Sequence, residues 1–131
     1  MGDIEAQVTS HIQGGVRRII VVGGDGSVHE AVNGMQRANR ACSLGIIPSG
    51  TGNDFAKACG STLDWQQATQ SLLQRITTKA PGRKIDISRV NDRYFANGVG
   101  IGFDAKVNPI ARSYRLRIGD FVYLLAAFNL F

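Results

Sequence analysis

Twice within its first 60 residues the chain has a short apolar run, a glycine-rich loop and the start of a helical pattern, in that order. The first unit leads from Ile19–Val22 into Gly23–Ser27, and the second from Ser43–Ile47 into Ser49–Asn53. A short β-branched run bounded by glycine is typical of a strand buried on both faces of a parallel sheet. Because parallel strands end at the same edge of a sheet, we expect both loops to face one cleft.

The patterns around these two units predict the fold class. Helices are expected over Ile4–Ile12 and after Asp64, and repeated strand, loop and helix is the pattern of a doubly wound α/β sheet. The composition changes at Lys79–Gly82. Beyond it, Lys84–Val90 and Tyr94–Val99 read as two antiparallel strands joined by a turn.

Two regions of different class follow from this change. Residues 1–80 are expected to form an incomplete, doubly wound parallel-sheet α/β domain, and residues 81–131 to begin an antiparallel β-rich second domain. The last segment, Phe121–Phe131, is apolar except for Asn129. This segment predicts a core helix. The alternative is a helix at a membrane interface, since basic residues precede the segment at Lys106, Arg112, Arg115 and Arg117.

Composition excludes several other classes. Sixteen of the 131 residues are glycine, against a usual share of about 7%, but there is no collagen-like period. An apolar content of 44% allows a core. No apolar run is long enough to span a bilayer, and no signal peptide is expected. Cys42 and Cys59 have no metal-ligand spacing, so we expect two buried, reduced thiols in a cytosolic protein.

The net charge of +5 comes from 15 basic and 10 acidic residues. The whole excess lies after residue 60, and most of the basic residues are arginine. Arginine suits phosphate recognition. The basic half is compatible with nucleic acid, an anionic membrane or a phosphorylated substrate, and charge alone does not choose among them.

The first glycine loop combines an anion-binding placement with one carboxylate. Gly23, Gly24 and Gly26 precede or open a helix, whose N-terminal N–H groups attract anions. Asp25 would repel a phosphate, so it predicts a role in holding Mg²⁺ or in phosphoryl transfer. The alternative for Ser27 and Glu30 is a capping box that only satisfies the helix end.

The second glycine loop carries hydroxyl, amide and carboxylate groups. Thr51 can offer its hydroxyl to a phosphate, and Asn53 and Asp54, which follow Gly52, can order water or a metal. The alternative is again a capping box, formed by Thr51 and Asp54. Two such loops on successive strands are a more specific signal than one.

Two common nucleotide-binding motifs are absent. The chain has no G-x-x-x-x-G-K-[ST] sequence, which excludes a P-loop, and no dinucleotide-binding fingerprint follows a strand. Gly98, Gly100 and Gly102 lie in the β-rich half and indicate a distorted or closely packed strand.

At this level of detail the sequence resembles the catalytic domain of the diacylglycerol kinase family. Val21–Glu30 resembles the family's GGDGT motif, and Leu44–Gly60 resembles its second motif, most specifically in GTGNDFA. Lys84–Ile87 together with Tyr94–Asp104 resembles a third region. The resemblance covers most of residues 17–107.

The resemblance implies transfer of the γ-phosphoryl group of ATP, with Mg²⁺, to a lipid hydroxyl, most naturally that of diacylglycerol. It implies Asp25 as the catalytic residue and a metal and water network of Asp25, Asp54 and Asp86. The implied nucleotide contacts are Gly23, Gly24, Asp25, Gly26, Ser27, Glu30, Thr51, Gly52 and Asn53. The implied partners are ATP and a lipid at a membrane surface, with a homodimer as an option and without nucleic acid. The implied location is the cytoplasm, with peripheral binding to the inner face of the membrane as an option.

Two alternatives stay open beside the lipid kinase. NAD kinase shares a GGDG loop, although PSGTGND fits the lipid-kinase pattern better. The other alternative is an inactive nucleotide-binding module. The resemblance implies a first strand before Met1 and a late acidic motif after Phe131, so the chain is expected to be a fragment of a two-domain kinase.

Overall fold

The computed structural model describes residues 3–99. The chain divides into two compact units, Met1–Asn97 and Gly98–Phe131. The domain boundary expected between residues 80 and 81 stays a prediction. Gly100, Gly102, Asp104, the basic residues from Lys106 onward and the terminal apolar segment lie outside the described residues.

The first unit alternates helices and strands and then ends on a hairpin. The elements, in chain order, are α1 (Asp3–Gln13), β1 (Arg18–Gly23), α2 (Asp25–Ala38), β2 (Ser43–Pro48), α3 (Asp54–Ala58), α4 (Trp65–Thr77), β3 (Ser88–Val90) and β4 (Arg93–Phe95). The mixed α/β class expected from the sequence is confirmed, and Asp64 caps α4 as predicted, accepting bonds from the N–H groups of Gln66 and Gln67.

Strands β1 and β2 pair in parallel, with Val21 opposite Ile46 and Gly23 opposite Pro48. Val21 and Ile46 pack into the core beneath α1 and α2. Side chains alternate between the two faces of a strand, so Ile20 and Gly45 face the other way, where Leu72 of α4 lies over Gly45. Helices therefore lie on both faces, but two strands do not establish the strand order of a doubly wound sheet.

The expected burial of β1 on both faces is wrong for the described residues. Ile20 is 48% exposed and Val22 is 65% exposed. The reason is the position of α4, which packs on β2. One helix about 10 Å wide lies over the strand it contacts and leaves part of the neighbouring strand uncovered.

The core lies between the sheet and the helix pair α1 and α2. Its buried apolar residues are Val8, Ile12, Val21, Val28, Ala31, Val32, Ala38 and Phe55. The spacing of Val28, Ala31 and Val32 on α2 follows the helical period. The two helices meet closely at Gly34, where an added Cβ would lie 2.6 Å from the carbonyl oxygen of Glu5 and 2.9 Å from Val8 Cβ.

Gly34→Ala is therefore expected to destabilise the fold by about 2 kcal/mol, although alanine has the higher helix propensity. The methyl group would push α1 off α2, since its nearest neighbour is backbone. Urea unfolding measures this, and an unchanged or higher midpoint would contradict the close contact of the two helices.

The antiparallel pair expected after residue 81 is confirmed but shorter than predicted. Strand β3 pairs with β4, with Arg89 opposite Tyr94, and the turn passes through Asn91 with φ 50°. Residues 84–87 are outside the strand, because β4 is only three residues long and offers them no partner.

The cysteines are free thiols, as expected, but both are only half-buried. Burial raises the pKa of the Cys42 thiol. The Ser43 backbone and the charge of Arg17 lower the same pKa, but by less than burial raises it. The Cys42 thiol therefore stays protonated at neutral pH. Among residues 3–99, no helix combines the length and the hydropathy needed to cross a membrane.

Candidate functional site

The two glycine loops lie side by side at the carboxyl edge of the parallel sheet. The N–H of Ser49 donates to the carbonyl of Gly23, the last residue of β1, at 3.1 Å, which extends the ladder one residue past the end of β2. A Cβ added to Gly24 would lie 2.9 Å from Gly50 Cα. The loops thus touch through bare backbone, as the predicted common edge requires.

Asp25 joins the first loop to the helix that follows the second. Its Oδ2 accepts from the Asp54 N–H at 3.1 Å and its Oδ1 from the Phe55 N–H at 2.9 Å. Asn53 precedes α3 and makes no side-chain cap, so a carboxylate 29 residues away in sequence caps this helix. Asp25 is half-buried, and its charge complements the exposed N–H groups at the start of α3.

Asn53 closes the second loop on itself. Its Oδ1 accepts from the Gly50 N–H at 3.0 Å, and its Nδ2 donates to the Gly50 carbonyl at 2.7 Å. The residue is 7% exposed and has φ 54°. Asparagine tolerates this left-handed backbone better than most residues, so the position requires both its backbone freedom and its amide.

Neither capping box forms. Helix α2 begins at Asp25 with Gly24 as its N-cap and no side-chain cap, so Ser27 and Glu30 lie within the helix. Helix α3 begins one residue after Asn53, so Thr51 is not its cap. The capping-box alternatives are wrong, because in each loop the helix starts at a different residue from the one that the S/T-x-x-E/D spacing indicates.

The start of α2 offers uncapped N–H groups. The first bond within the helix runs from the Val28 N–H to the Gly24 carbonyl at 3.1 Å. The N–H groups of Asp25, Gly26 and Ser27 come before it and have no acceptor within the helix. A Cβ on Gly26 would meet nothing within 4 Å. This helix end fits an anion on both its geometry and its dipole.

The Ser27 side chain lies against Gly23, where an added Cβ would be 2.6 Å from Ser27 Oγ. Gly23 therefore leaves room for the hydroxyl beside the start of α2. Glu30 lies further along the same helix and is half-buried.

The second loop presents exposed polar groups beside Asp25. Thr51 is exposed, and a Cβ on Gly52 would lie 3.0 Å from Asp25 Oδ2 and 3.5 Å from Asp54 Oδ2. The two carboxylates therefore border the same small space. Lys57 pairs with Asp54 at 3.0 Å in a solvent-exposed ion pair, which reduces the negative charge there.

Asp86 is not brought to this place by the described contacts. It lies exposed on the segment before β3, and within residues 3–99 no group of three His, Cys, Asp or Glu side chains could hold a metal ion. A protein-only metal site of three carboxylates therefore does not fit the described residues. Mg²⁺ that arrives on nucleotide phosphates needs only one or two carboxylates, which Asp25 and Asp54 could supply.

Three residues that tie this site to the rest of the unit were not predicted. Asn33 is 1% exposed on α2, Gly34 follows it, and Glu5 is 6% exposed on α1. An asparagine between Val32 and Gly34, on a helix whose flanking positions are apolar, is a signal that sequence reading could have used.

Comparison with known proteins places the chain in a family. Residues 1–85 match the profile of the diacylglycerol kinase catalytic domain. The chain is 36% identical over 132 residues to a "Probable lipid kinase YegS-like" of Alcanivorax borkumensis, covering 99% of the chain and 42% of that protein. It is 37% identical over 114 residues to a diacylglycerol kinase of Staphylococcus haemolyticus, covering 86% and 33%.

A diacylglycerol kinase of Bacillus subtilis is 35% identical over 109 residues, with 82% of the chain and 34% of that protein covered. The chain thus spans between a third and about two fifths of the length of these relatives. No solved structure gave a significant match. With the profile extending over both glycine loops, the chain belongs to the diacylglycerol kinase catalytic domain family.

Proposed function

We propose that the protein containing this chain transfers the γ-phosphoryl group of ATP to a lipid hydroxyl, with diacylglycerol as the acceptor and phosphatidic acid as the product. The observation that carries this proposal is the junction of the two glycine loops through the Gly24–Gly50 contact and the Asp25 carboxylate. Family membership supplies the reaction class. The names of the relatives in Staphylococcus and Bacillus, both diacylglycerol kinases, support diacylglycerol as the acceptor.

The nucleotide phosphates would lie at the start of α2. The N–H groups of Asp25, Gly26 and Ser27 point out of a helix of 14 residues, and the exposed backbone of Gly26 lets a phosphate approach closely. The Thr51 hydroxyl would add a side-chain donor from the second loop. Gly23, Gly52, Glu30 and Asn53 would complete the nucleotide site, Asn53 by holding the loop in shape.

The transfer itself needs position more than covalent chemistry. The acceptor oxygen forms a bond to the γ-phosphorus, the bond to the bridging oxygen breaks, ADP leaves, and the hydroxyl proton passes to a base. Asp25 would act here by fixing the second loop and by its charge beside the reacting phosphate. Mg²⁺ bound to the nucleotide would neutralise phosphate charge. Asp25 and Asp54 would belong to its metal and water network. Asp86 would be the third member, and no described contact joins it to the other two.

The remaining parts of the proposal concern the whole protein. The two-stranded parallel sheet would belong to a larger doubly wound nucleotide domain, and the hairpin would lead to a β-rich domain. The basic excess after residue 60 would favour a surface of anionic lipid. The acceptor would be reached there from the cytoplasmic side.

A phosphorylation assay tests the reaction. The protein as its gene encodes it is incubated with radiolabelled ATP and Mg²⁺ in mixed micelles that carry diacylglycerol, a sphingoid base, ceramide or phosphatidylglycerol, and in parallel with NAD. We expect label in phosphatidic acid. Label in NADP and in no lipid would favour the NAD-kinase alternative, and ATP binding without any transfer would favour the inactive module.

A further inference from the structure

One buried polar side chain connects α2 to the hairpin. Asn33 Nδ2 donates to the Tyr94 carbonyl at 2.9 Å, and the Tyr94 N–H donates to Asn33 Oδ1 at 3.0 Å. The same Nδ2 donates to the His29 carbonyl one turn earlier at 2.8 Å. The amide nitrogen therefore donates two hydrogen bonds and the amide oxygen accepts one, as expected for a buried polar side chain.

This pair of bonds imitates a β-ladder. The N–H and carbonyl of Tyr94 point away from β3 and toward α2. There the Asn33 amide accepts from the N–H through Oδ1 and donates to the carbonyl through Nδ2. Aspartate offers acceptors but no donor when ionised, and leucine offers neither. The contact therefore requires asparagine in chemistry as well as in size.

A second link runs parallel to the first. Glu5 of α1 is paired with Arg93 of β4 at 2.8 Å and with Arg37 of α2 at 2.7 Å, and its side chain is only 8% exposed. The Arg37 contact is an ion pair without hydrogen-bond alignment, since Glu5 Oε1 has no hydrogen-bond partner in the described part of the chain. Arg93 also meets His29 Nε2 at 3.3 Å. Strand β4 is thus held by α1 and α2 together.

We propose that Asn33 is a positioning residue for phosphoryl transfer, because it fixes strand β4 to the helix that begins at the glycine loop. Helix α2 carries Asp25 at its first residue and Asn33 two turns later. Beyond β4 the chain leaves the first unit after Asn97. The amide pair therefore fixes β4, within the first unit, relative to the helix that carries Asp25. The inference rests on the proposed function for its readout in catalysis.

The test compares Asn33→Leu and Asn33→Asp with Val32→Ala, a core change on the same helix that keeps Asn33 and its bonds to Tyr94. Both kinds of variant lose stability, so activity is measured well below all unfolding midpoints. For Asn33→Leu we expect kcat to fall by about tenfold or more, with the KM for ATP within about twofold. Val32→Ala keeps kcat within about twofold, and Asn33→Asp lies between the two.

Hydrogen exchange gives a readout that does not depend on activity. In Asn33→Leu the amide of Tyr94 loses its acceptor, so peptides covering β4 are expected to exchange at least about tenfold faster than in Val32→Ala. Two results would overturn the proposal. One is equal exchange of the β4 peptides in Asn33→Leu and Val32→Ala, and the other is a fall in kcat that is proportional to the loss of stability in both variants. If the wild-type protein transfers phosphate to no lipid, the proposed function fails and the catalytic part of this inference falls with it. Exchange alone then decides whether Asn33 fixes β4.

Discussion

Asp25→Asn is expected to lower kcat for lipid phosphorylation by at least about a hundredfold while the protein stays folded. The variant removes the charge that the proposed mechanism places beside the reacting phosphate, and it also removes one of the two bonds from Asp25 to the start of α3. Asparagine can offer its oxygen to the Phe55 N–H or to the Asp54 N–H, but its amide group then faces the other donor. The second loop loses its fixed position, and small misplacements cost large factors in phosphoryl transfer.

The same change is expected to cost about 1 to 2 kcal/mol of stability. This cost follows from the bonds at 3.1 and 2.9 Å to the start of α3. ATP affinity is expected to stay within about threefold, because loss of a negative charge near the phosphates relieves repulsion as it loosens the loop. The loss therefore appears in kcat rather than in the KM for ATP.

Asp64 is the matched control. Its Oδ1 accepts from the N–H groups of Gln66 and Gln67 at 2.9 and 3.0 Å, which caps α4 from the adjacent residue. Asp64→Asn keeps a good N-cap and is expected to leave both stability and kcat close to wild type. Equal activity of Asp25→Asn and Asp64→Asn would show that Asp25 is only a helix cap.

The order of elements and the common edge of the two loops could be predicted because they follow from periodicity and glycine placement. Ile19–Val22 and Ser43–Ile47 have the composition of paired strands, and parallel pairing is a consequence of the helix between them. The exposure of Ile20 and Val22 could not be predicted in the same way. It depends on where α4 lies across the sheet, which no local pattern encodes.

For the candidate site as well, local sequence indicated the residue types but not the long-range contacts. The residue types of Asp25, Thr51 and Asn53 indicated a polar, phosphate-directed cleft, and those assignments stay predictions. The contacts that shape the cleft are long-range: Asp25 to α3, and Asn33 to Tyr94 across 61 residues. A capping box is defined by spacing within one segment, and that spacing offered caps at Ser27 and Thr51 as the alternative to nucleotide contacts. In the structure α2 begins at Asp25 without a side-chain cap, and Asp25 caps α3 from outside its own segment.

Replacing two glycines of the loops by alanine is expected to have different effects, a loss of stability and kcat at Gly50 and weaker ATP binding at Gly26. In Gly50→Ala the new methyl group would overlap Gly24 Cα and lie 3.0 Å from Asn53 Oδ1. The nearest obstacle is backbone, so the two loops have to separate. We expect a loss of roughly 2 to 3 kcal/mol of stability and a fall in kcat of at least about a hundredfold.

Gly26→Ala is the control with the same chemical change. Its methyl group would meet no protein atom within 4 Å, and alanine in the first turn of α2 is favoured over glycine by up to about 1 kcal/mol. The folded protein is therefore expected to be as stable as wild type or more so. A phosphate that approaches this backbone would meet the methyl group, so the KM for ATP is expected to rise about tenfold.

Thermal unfolding and steady-state kinetics on both variants separate the two roles of glycine. Packing between the loops predicts a lower midpoint for Gly50→Ala alone, and phosphate binding at α2 predicts weaker ATP binding for Gly26→Ala without loss of midpoint. Unchanged ATP binding in Gly26→Ala would place the phosphates away from this helix end. A stable, active Gly50→Ala would mean that the loops function without their contact, which would remove the main structural support for the proposed cleft.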